Sequence, residues 1–238
     1  LDAQVKTIRA KPENGFEPQL GEFISAVSDK TRVVFINTPG NPTGTIISAQ
    51  TLKSLSRYCY DRGIWLLCDE VYSMFTFEKP HNSLRAAADR LDNVIVIDGL
   101  SKSHAMSGWR VGWAVAPVDL TGHLGRFSAM SIFGCPQFIQ DAAAFALNND
   151  EYYVKEMCSV YQNRRDMVCT RLNNMLHLNY HCPESGMFIM VDVSSIYKDD
   201  KVFAQKLLDA ERVSVLPGSA FGESTIGHVR FSLVQPEN

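Results

Sequence analysis

GLSKSHAMSGWRVG, residues 99–112, governs how the rest of the chain is read. It follows directly on a strand-like apolar run, VIVI at 94–97, and leads into a second, VGWAV at 111–115. Lys102 therefore stands between two segments that pack as strands. A lysine held there cannot keep its hydration and becomes a candidate amine nucleophile or Schiff-base former. Arg110, eight positions on, supplies a fixed cation of the shape that grips a phosphate through two parallel hydrogen bonds. A reactive lysine with a phosphate grip is what a pyridoxal phosphate (PLP) site requires.

Upstream, VVFI at 33–36 is a short β-branched run, the mark of a strand buried on both faces. It ends in NTPGNPTG, 37–44, where two prolines and two glycines forbid regular structure and hold a loop in one shape. Ser48 is placed to cap a helix through about residue 62, with Leu52, Leu55 and Cys59 facing inward and Gly63 closing it. A second buried strand is expected at 64–68 and a third at 94–97. Nearer the start, strand character is read at 5–8, a turn at 12–15 and an amphipathic helix over 18–29, where Leu20, Phe23, Ile24 and Val27 recur at helical spacing. Strands alternating with helices imply right-handed crossovers and a largely parallel sheet. Ligands of such sheets sit beyond the carboxyl ends of the strands, and Asn41, Asp69 and Lys102 each lie just past one.

Downstream, helices are expected from 117, over 135–147 and over 150–175, the last with Met157, Val160, Tyr161, Val168, Leu172 and Met175 on its apolar stripe. Beyond it the pattern changes to strands at 187–193, 213–216 and 228–233 around a helix at 201–210. This predicts a boundary within or just after the long helix, dividing the chain into 1–170 and a smaller α+β unit at 171–238.

With 238 residues, 45% hydrophobic and 21% charged, the chain has ample material for a core. A net charge of −3 leaves no electrostatic footprint for nucleic acid or an anionic membrane, and no apolar run approaches the ~18 residues of a membrane span. Six cysteines without a CxxC pair read as reduced thiols and a cytoplasmic setting. His177, His181 and Cys182 have ligand-like spacing, but no further ligand cluster accompanies them, so no metal is expected.

Several polar residues take their meaning from this frame. Alone, Asp69 reads as a cap or surface acid; beside a PLP site it suits an ion pair with the pyridine nitrogen, which keeps the ring electron-accepting. Tyr72, three residues on, is either a core aromatic or a hydrogen-bond donor to the ring's phenolic oxygen. Asn41, before a proline, is by itself a turn residue. Arg230, in the apolar stretch HVRFS, needs an anionic partner.

The residues GLSK, 99–102, with Ala105, Met106 and GWRVG, 108–112, resemble the PLP-attachment signature of class I/II aminotransferases, the fold type I enzymes of the aspartate aminotransferase superfamily. The resemblance runs over about 5–234. It implies a three-layer α/β large domain with a mostly parallel sheet, present here in part, and a smaller C-terminal α+β domain. The chain is expected to begin inside the large domain and to stop before the last helices of the small one. By the resemblance, Lys102 is the Schiff-base lysine and the proton carrier, Asp69 and Tyr72 serve the ring, and Ser101 and Arg110 hold the phosphate. Asn41, in the NPTG loop, contacts the phenolic oxygen and the substrate, and Arg230 clamps the substrate α-carboxylate. There is one departure: some members carry a serine three residues before the lysine, where this chain has Gly99.

The implied activity is ping-pong transfer of an amino group from an amino acid to a 2-oxo acid by a homodimer with sites at the subunit interface. The segments LSKSHAM, FGCPQFIQDAA, GMFIMVDV and VSVLPGSAFG are most similar in flavour to arginine–pyruvate transaminases. Two other readings use the same residues: a PLP-dependent C–S lyase, and a non-catalytic PLP-binding effector domain of a transcription regulator.

Overall fold

The computed structural model describes residues 2–235. Its elements run Leu20–Ala26 (α1), Val33–Asn37 (β1), Ala49–Asp61 (α2), Trp65–Asp69 (β2), Leu84–Ala87 (α3), Val94–Gly99 (β3), Leu100–Ser103 (α4) and Gly112–Val115 (β4). Three helices follow, Val118–Ile132 (α5), Gln137–Asn148 (α6) and Glu151–Leu172 (α7). The chain then forms Asn179–His181 (β5), Phe188–Asp192 (β6), Asp200–Glu211 (α8), Leu216–Pro217 (β7) and His228–Ser232 (β8).

The first sheet has the order β1-β2-β3-β4. Its first three strands are parallel and β4 returns antiparallel to β3. In register, Asn37 stands opposite Asp69, and Asp69 opposite Ile97, so β1 and β2 end level, β3 runs two residues further to Gly99, and all three following segments leave at the same edge. Helix α2 shows how the sequence builds this. Ser48 Oγ accepts the Thr51 N–H at 3.2 Å, and Gly63, at φ +62°, ends the helix in the left-handed region. Leu52, Leu55 and Cys59, spaced three and four apart, are 0% exposed against Val34, Leu66 and Val94. Each leucine so buried stabilises by about 1.5–3 kcal/mol.

The expectation that β1 is buried on both faces is corrected. Val33 and Phe35 are 52% and 60% exposed. Helices α1, α2 and α3 carry the residues packed against the sheet on the Val34 and Ile36 side, and among the described residues the opposite side of β1 stays open. Residues 5–8 form no strand. Helix α1 is shorter than 18–29 because Glu22 reaches back to the Gln19 N–H at 2.8 Å and fixes its start, while Val27 turns extended.

The second sheet, β5-β6-β8-β7, is antiparallel throughout. Its core, with Ile189, Val191, Val193 and Val229 at 0% exposure, also takes Cys169 and Leu172 from the end of α7. The expected strand at 213–216 is reduced to Leu216–Pro217, and β5 comes from a segment whose NYH lacks apolar alternation. Among the described residues no group of three His, Cys, Asp or Glu is placed to hold a metal, and no helix is long and apolar enough to cross a membrane. Between the two cores lies a third cluster, Tyr72, Phe75 and Met187, with Met157 and Tyr161 of α7 against it. Backbone bonds from Gly186 N to Phe75 O (2.8 Å) and Phe77 N to Glu184 O (3.1 Å) tie the chain after β2 to the chain before β6.

Candidate active site

The loop after β1 is fastened to the end of β2. Asn37 Nδ2 and the Thr38 N–H both donate to the Asp69 carbonyl at 3.0 Å, and Asn37 Oδ1 accepts the Asn41 N–H at 2.8 Å. Gly44, at φ +69°, closes the loop where a Cβ would run into Pro183 and the Ser185 carbonyl, and Ser185 Oγ donates to Gly44 O at 3.0 Å. The NPTG segment is thus clamped between both sheets. Its side chain Asn41 Oδ1 accepts a hydrogen bond from Arg230 Nη1 at 2.8 Å, joining positions 189 residues apart.

Arg230 rises from β8 with its guanidinium between two rings, 3.9 Å from the centre of Phe188 and 4.7 Å from that of Phe221. These contacts are favourable cation–π geometry. Burial pulls the guanidinium below the ordinary arginine value, opposed by Tyr72. Among the described residues no carboxylate pairs with it; its hydrogen-bond partner is the Asn41 amide oxygen.

Tyr72 is 4% exposed and lines a small cleft with Gly40, Gly44, Ser185, Gly186 and the Phe188 that Arg230 covers. Its ring centre is 5.9 Å from Lys102 Nζ and 6.2 Å from the Phe188 ring. Burial raises the Tyr72 hydroxyl above the usual tyrosine range, Arg230 pulls it down and Asp69 pushes it up. The carboxylate of Asp69 is half-buried at the end of β2 and accepts only the Val71 N–H, at 3.0 Å, among the described residues. Glu70, its neighbour, is closed off. It pairs with His81 Nε2 at 2.9 Å and accepts the Leu84 N–H at 2.7 Å.

Lys102 follows β3 on α4, whose Leu100 and Ser103 are buried while Lys102 is half-exposed, and it makes no ion pair among the described residues. Gly99 opposes Gly112 across β3 and β4. A Cβ on Gly99 would stand 3.0 Å from the Val111 carbonyl and 3.1 Å from Gly112 Cα, so the strands meet there only because both side chains are missing. The structure therefore brings Asn41, Asp69, Tyr72, Lys102 and Arg230 to one edge. Ser101 carries no protein partner among the described residues. Arg110 is exposed, at φ +55°, with Nη1 donating to Ser107 O at 2.8 Å, and it is not drawn into the contacts of the other five.

Sequence reading passed over Asn37, which positions the loop, and the two rings that hold Arg230. Phe188 and Phe221 sit in segments noted only for their resemblance, and nothing local marks them as partners of an arginine.

The donor set fits PLP. A lysine, a carboxylate and an arginine, all without opposite-charge partners among the described residues, surround a buried tyrosine hydroxyl. The phosphate end is the less complete part of that fit, since Arg110 faces outward.

The description "Aminotransferase class I and II" matches residues 1–238. Arginine–pyruvate transaminase AruH of Pseudomonas aeruginosa is 39% identical over 232 residues, which are 98% of this chain and 59% of that protein. An aspartate aminotransferase of Pyrococcus horikoshii is 33% identical over 236 residues, 97% of this chain and 60% of the relative. Among solved structures, an aromatic aminotransferase from Pyrococcus horikoshii OT3 superposes with a TM-score of 0.91 at 33% identity, covering 96% of this chain and 62% of that one. A Thermus thermophilus aspartate aminotransferase tetra mutant gives 0.93 at 29% identity, covering 98% and 64%. The chain spans about three fifths of the length of the curated relatives it matches. With a match over every residue and these levels of identity, the chain belongs to the class I and II aminotransferase family.

Proposed function

We propose that the protein is a PLP-dependent aminotransferase that moves an amino group from an amino acid to a 2-oxo acid. The observation that carries this reading is Arg230, held by Asn41 and two aromatic rings and not neutralised by any described carboxylate, with one of those rings, Phe188, also meeting Tyr72, whose ring centre lies 5.9 Å from Lys102 Nζ. A cation fixed by neutral groups keeps its charge for a ligand, here the substrate α-carboxylate. Bound PLP supplies an electron-accepting ring that stabilises negative charge at the substrate Cα. Lys102 would hold the cofactor through its amine, and the same amine would serve as the base that removes the substrate Cα proton and the acid that returns it. Asp69 would keep the ring nitrogen protonated and Tyr72 and Asn41 would serve the phenolic oxygen, while Asn41 orients Arg230. Ser101 and Arg110 would serve the phosphate, Arg110 in exchange for its bond to Ser107 O.

The 39% identity to an arginine–pyruvate transaminase supports arginine as donor and pyruvate as acceptor. A homodimer in the cytoplasm is the expected setting. The chain is read as a large unit at 1–170 and a small one at 171–238; α7 gives Met157 and Tyr161 to the joining cluster and Cys169 and Leu172 to the second core, so the change of core falls within the second half of that helix.

The test uses the complete protein. After incubation with PLP and borohydride reduction, the labelled peptide should contain Lys102, and Lys102→Ala should lose transamination while keeping its circular dichroism. Label on a different lysine, or turnover near that of the parent, would overturn the reading.

A further inference from the structure

Away from the cleft, two cysteines meet where α7 runs past β5. Cys169 Sγ donates to Cys182 Sγ at 3.6 Å, the only thiol–thiol contact among the described residues. Their surroundings differ. Cys169 is 7% exposed, inside the core of the second sheet, while Cys182 is exposed at the end of β5. The frame around them is anchored: the Tyr180 hydroxyl donates to Cys169 O at 3.3 Å and to Asn173 Oδ1 at 2.9 Å, binding strand to helix. Arg165, one helical turn before Cys169, donates through Nη1 to Pro183 O at 3.0 Å, which holds its cation beside Cys182.

We infer that Cys169 and Cys182 form a reversible redox site that is oxidised to a disulfide by a hydroperoxide, with Cys182 as attacking thiol and Cys169 as resolving thiol. The roles follow from the contact. Cys182 is the exposed sulfur that a peroxide can reach and it accepts the Cys169 S–H, while Cys169 is enclosed behind it. That hydrogen bond lowers the Cys182 pKa and raises that of Cys169, with Arg165 adding to the lowering and burial, Glu78 and Asp166 opposing it. In the first step the Cys182 thiolate attacks one peroxide oxygen, the O–O bond breaks, and Cys182 sulfenic acid forms as hydroxide leaves. In the second, Cys169 sulfur attacks the sulfenic sulfur. The S–O bond breaks, and the hydroxyl leaves with the Cys169 proton as water. Peroxide is reduced by two electrons and the thiol pair is oxidised by two. The sulfurs must close from 3.6 Å to about 2.05 Å, a movement open to the exposed Cys182 side chain. The other thiols lack these features. Burial raises Cys59 to about 12, and it also raises Cys68 and Cys158.

The test is treatment of the complete protein with a small excess of hydrogen peroxide, followed by denaturing alkylation and peptide mapping without reduction. The expected product is a cross-linked pair of peptides carrying Cys169 and Cys182, two hydrogens lighter than the free peptides and separated by dithiothreitol. Cys182 should be consumed about tenfold faster than Cys135 or Cys158. In Cys169→Ser, Cys182 should be trapped by dimedone as sulfenic acid; in Cys182→Ser, no cross-link should form. Consumption of Cys182 no faster than Cys135 in the parent protein, or a cross-link through another cysteine, would overturn the site whether or not the variants fold. A dimedone adduct on Cys169 in place of Cys182 would overturn the roles.

Discussion

Arg165 and Arg230 are both withdrawn from solvent, and the fold treats them in opposite ways. Arg165 is buried and saturated, paired with Glu78 and Asp166 and donating to Pro183 O. Arg230 is half-buried and meets an amide oxygen and two ring faces. The same contrast recurs in two successive acids. Glu70 is enclosed by His81, Ser83 and the Leu84 N–H, while Asp69 keeps a carboxylate with a single backbone donor among the described residues. Charges that hold the fold together are neutralised within it. Charges left to bind something are fixed in place by groups that do not cancel them.

The contrast breaks first at Arg230. Arg230→Ala should lower kcat/KM by about 10²–10³, chiefly through KM, because one buried charge pair with the substrate is lost. Its unfolding midpoint should move little; steady-state kinetics beside thermal melts check both. If the loss falls on stability with KM unchanged, Arg230 belongs with Arg165. Arg165→Ala should do the reverse, costing about 2 kcal/mol of stability through the lost packing and the Pro183 hydrogen bond, since Glu78 and Asp166 stay half in solvent. The KM of the folded fraction should be unaltered, as read by denaturant titration and kinetics.

Glu70 sharpens the same division through pH. Burial alone would raise its pKa, but hydrogen bonds from His81, the Leu84 N–H and Ser83, with the His81 charge, leave it below the ordinary glutamate value. A depressed pKa contributes stability that is present above the unfolded-state glutamate pKa and is lost as pH falls through the folded value. Glu70→Gln should therefore lose about 2 kcal/mol near neutral pH and flatten the acid limb of the melting-temperature profile. An acid limb as steep as the parent's would remove Glu70 from that role. The smallest effect is expected at Phe221→Leu, where loss of one aromatic face from Arg230 is worth about 0.5–1 kcal/mol, a two- to fivefold rise in KM. An unchanged KM would leave Phe188 as the ring that matters.

Much of this arrangement was legible before any coordinates. The NPTG loop, the lysine segment and the β2 terminus announce themselves through prolines, glycines and strand ends, which are local features. Helix α2 was readable residue by residue because its cap, stripe and closing glycine all lie within sixteen positions. What escaped is non-local. The open face of β1 depends on which helices lie over it, and the bond between Asn41 and Arg230 spans 189 residues. The rings around Arg230 come from two separate segments that meet only in the tertiary fold. Strand β5 is held by pairing with β6, so its own composition never had to favour a strand.

The opposed glycines at 99 and 112 also constrain what this sequence can become. A serine at 99 would bring its Cβ to 3.0 Å from the Val111 carbonyl, and its partner across the ladder is confined more tightly still, with Asp98 O 2.8 Å from where a Cβ would stand. Neither position can vary alone without moving the backbone that carries Lys102. A side chain at 99 thus asks β4 to give by a few tenths of an ångström, and a mutational library aimed at this segment should vary both strands at once.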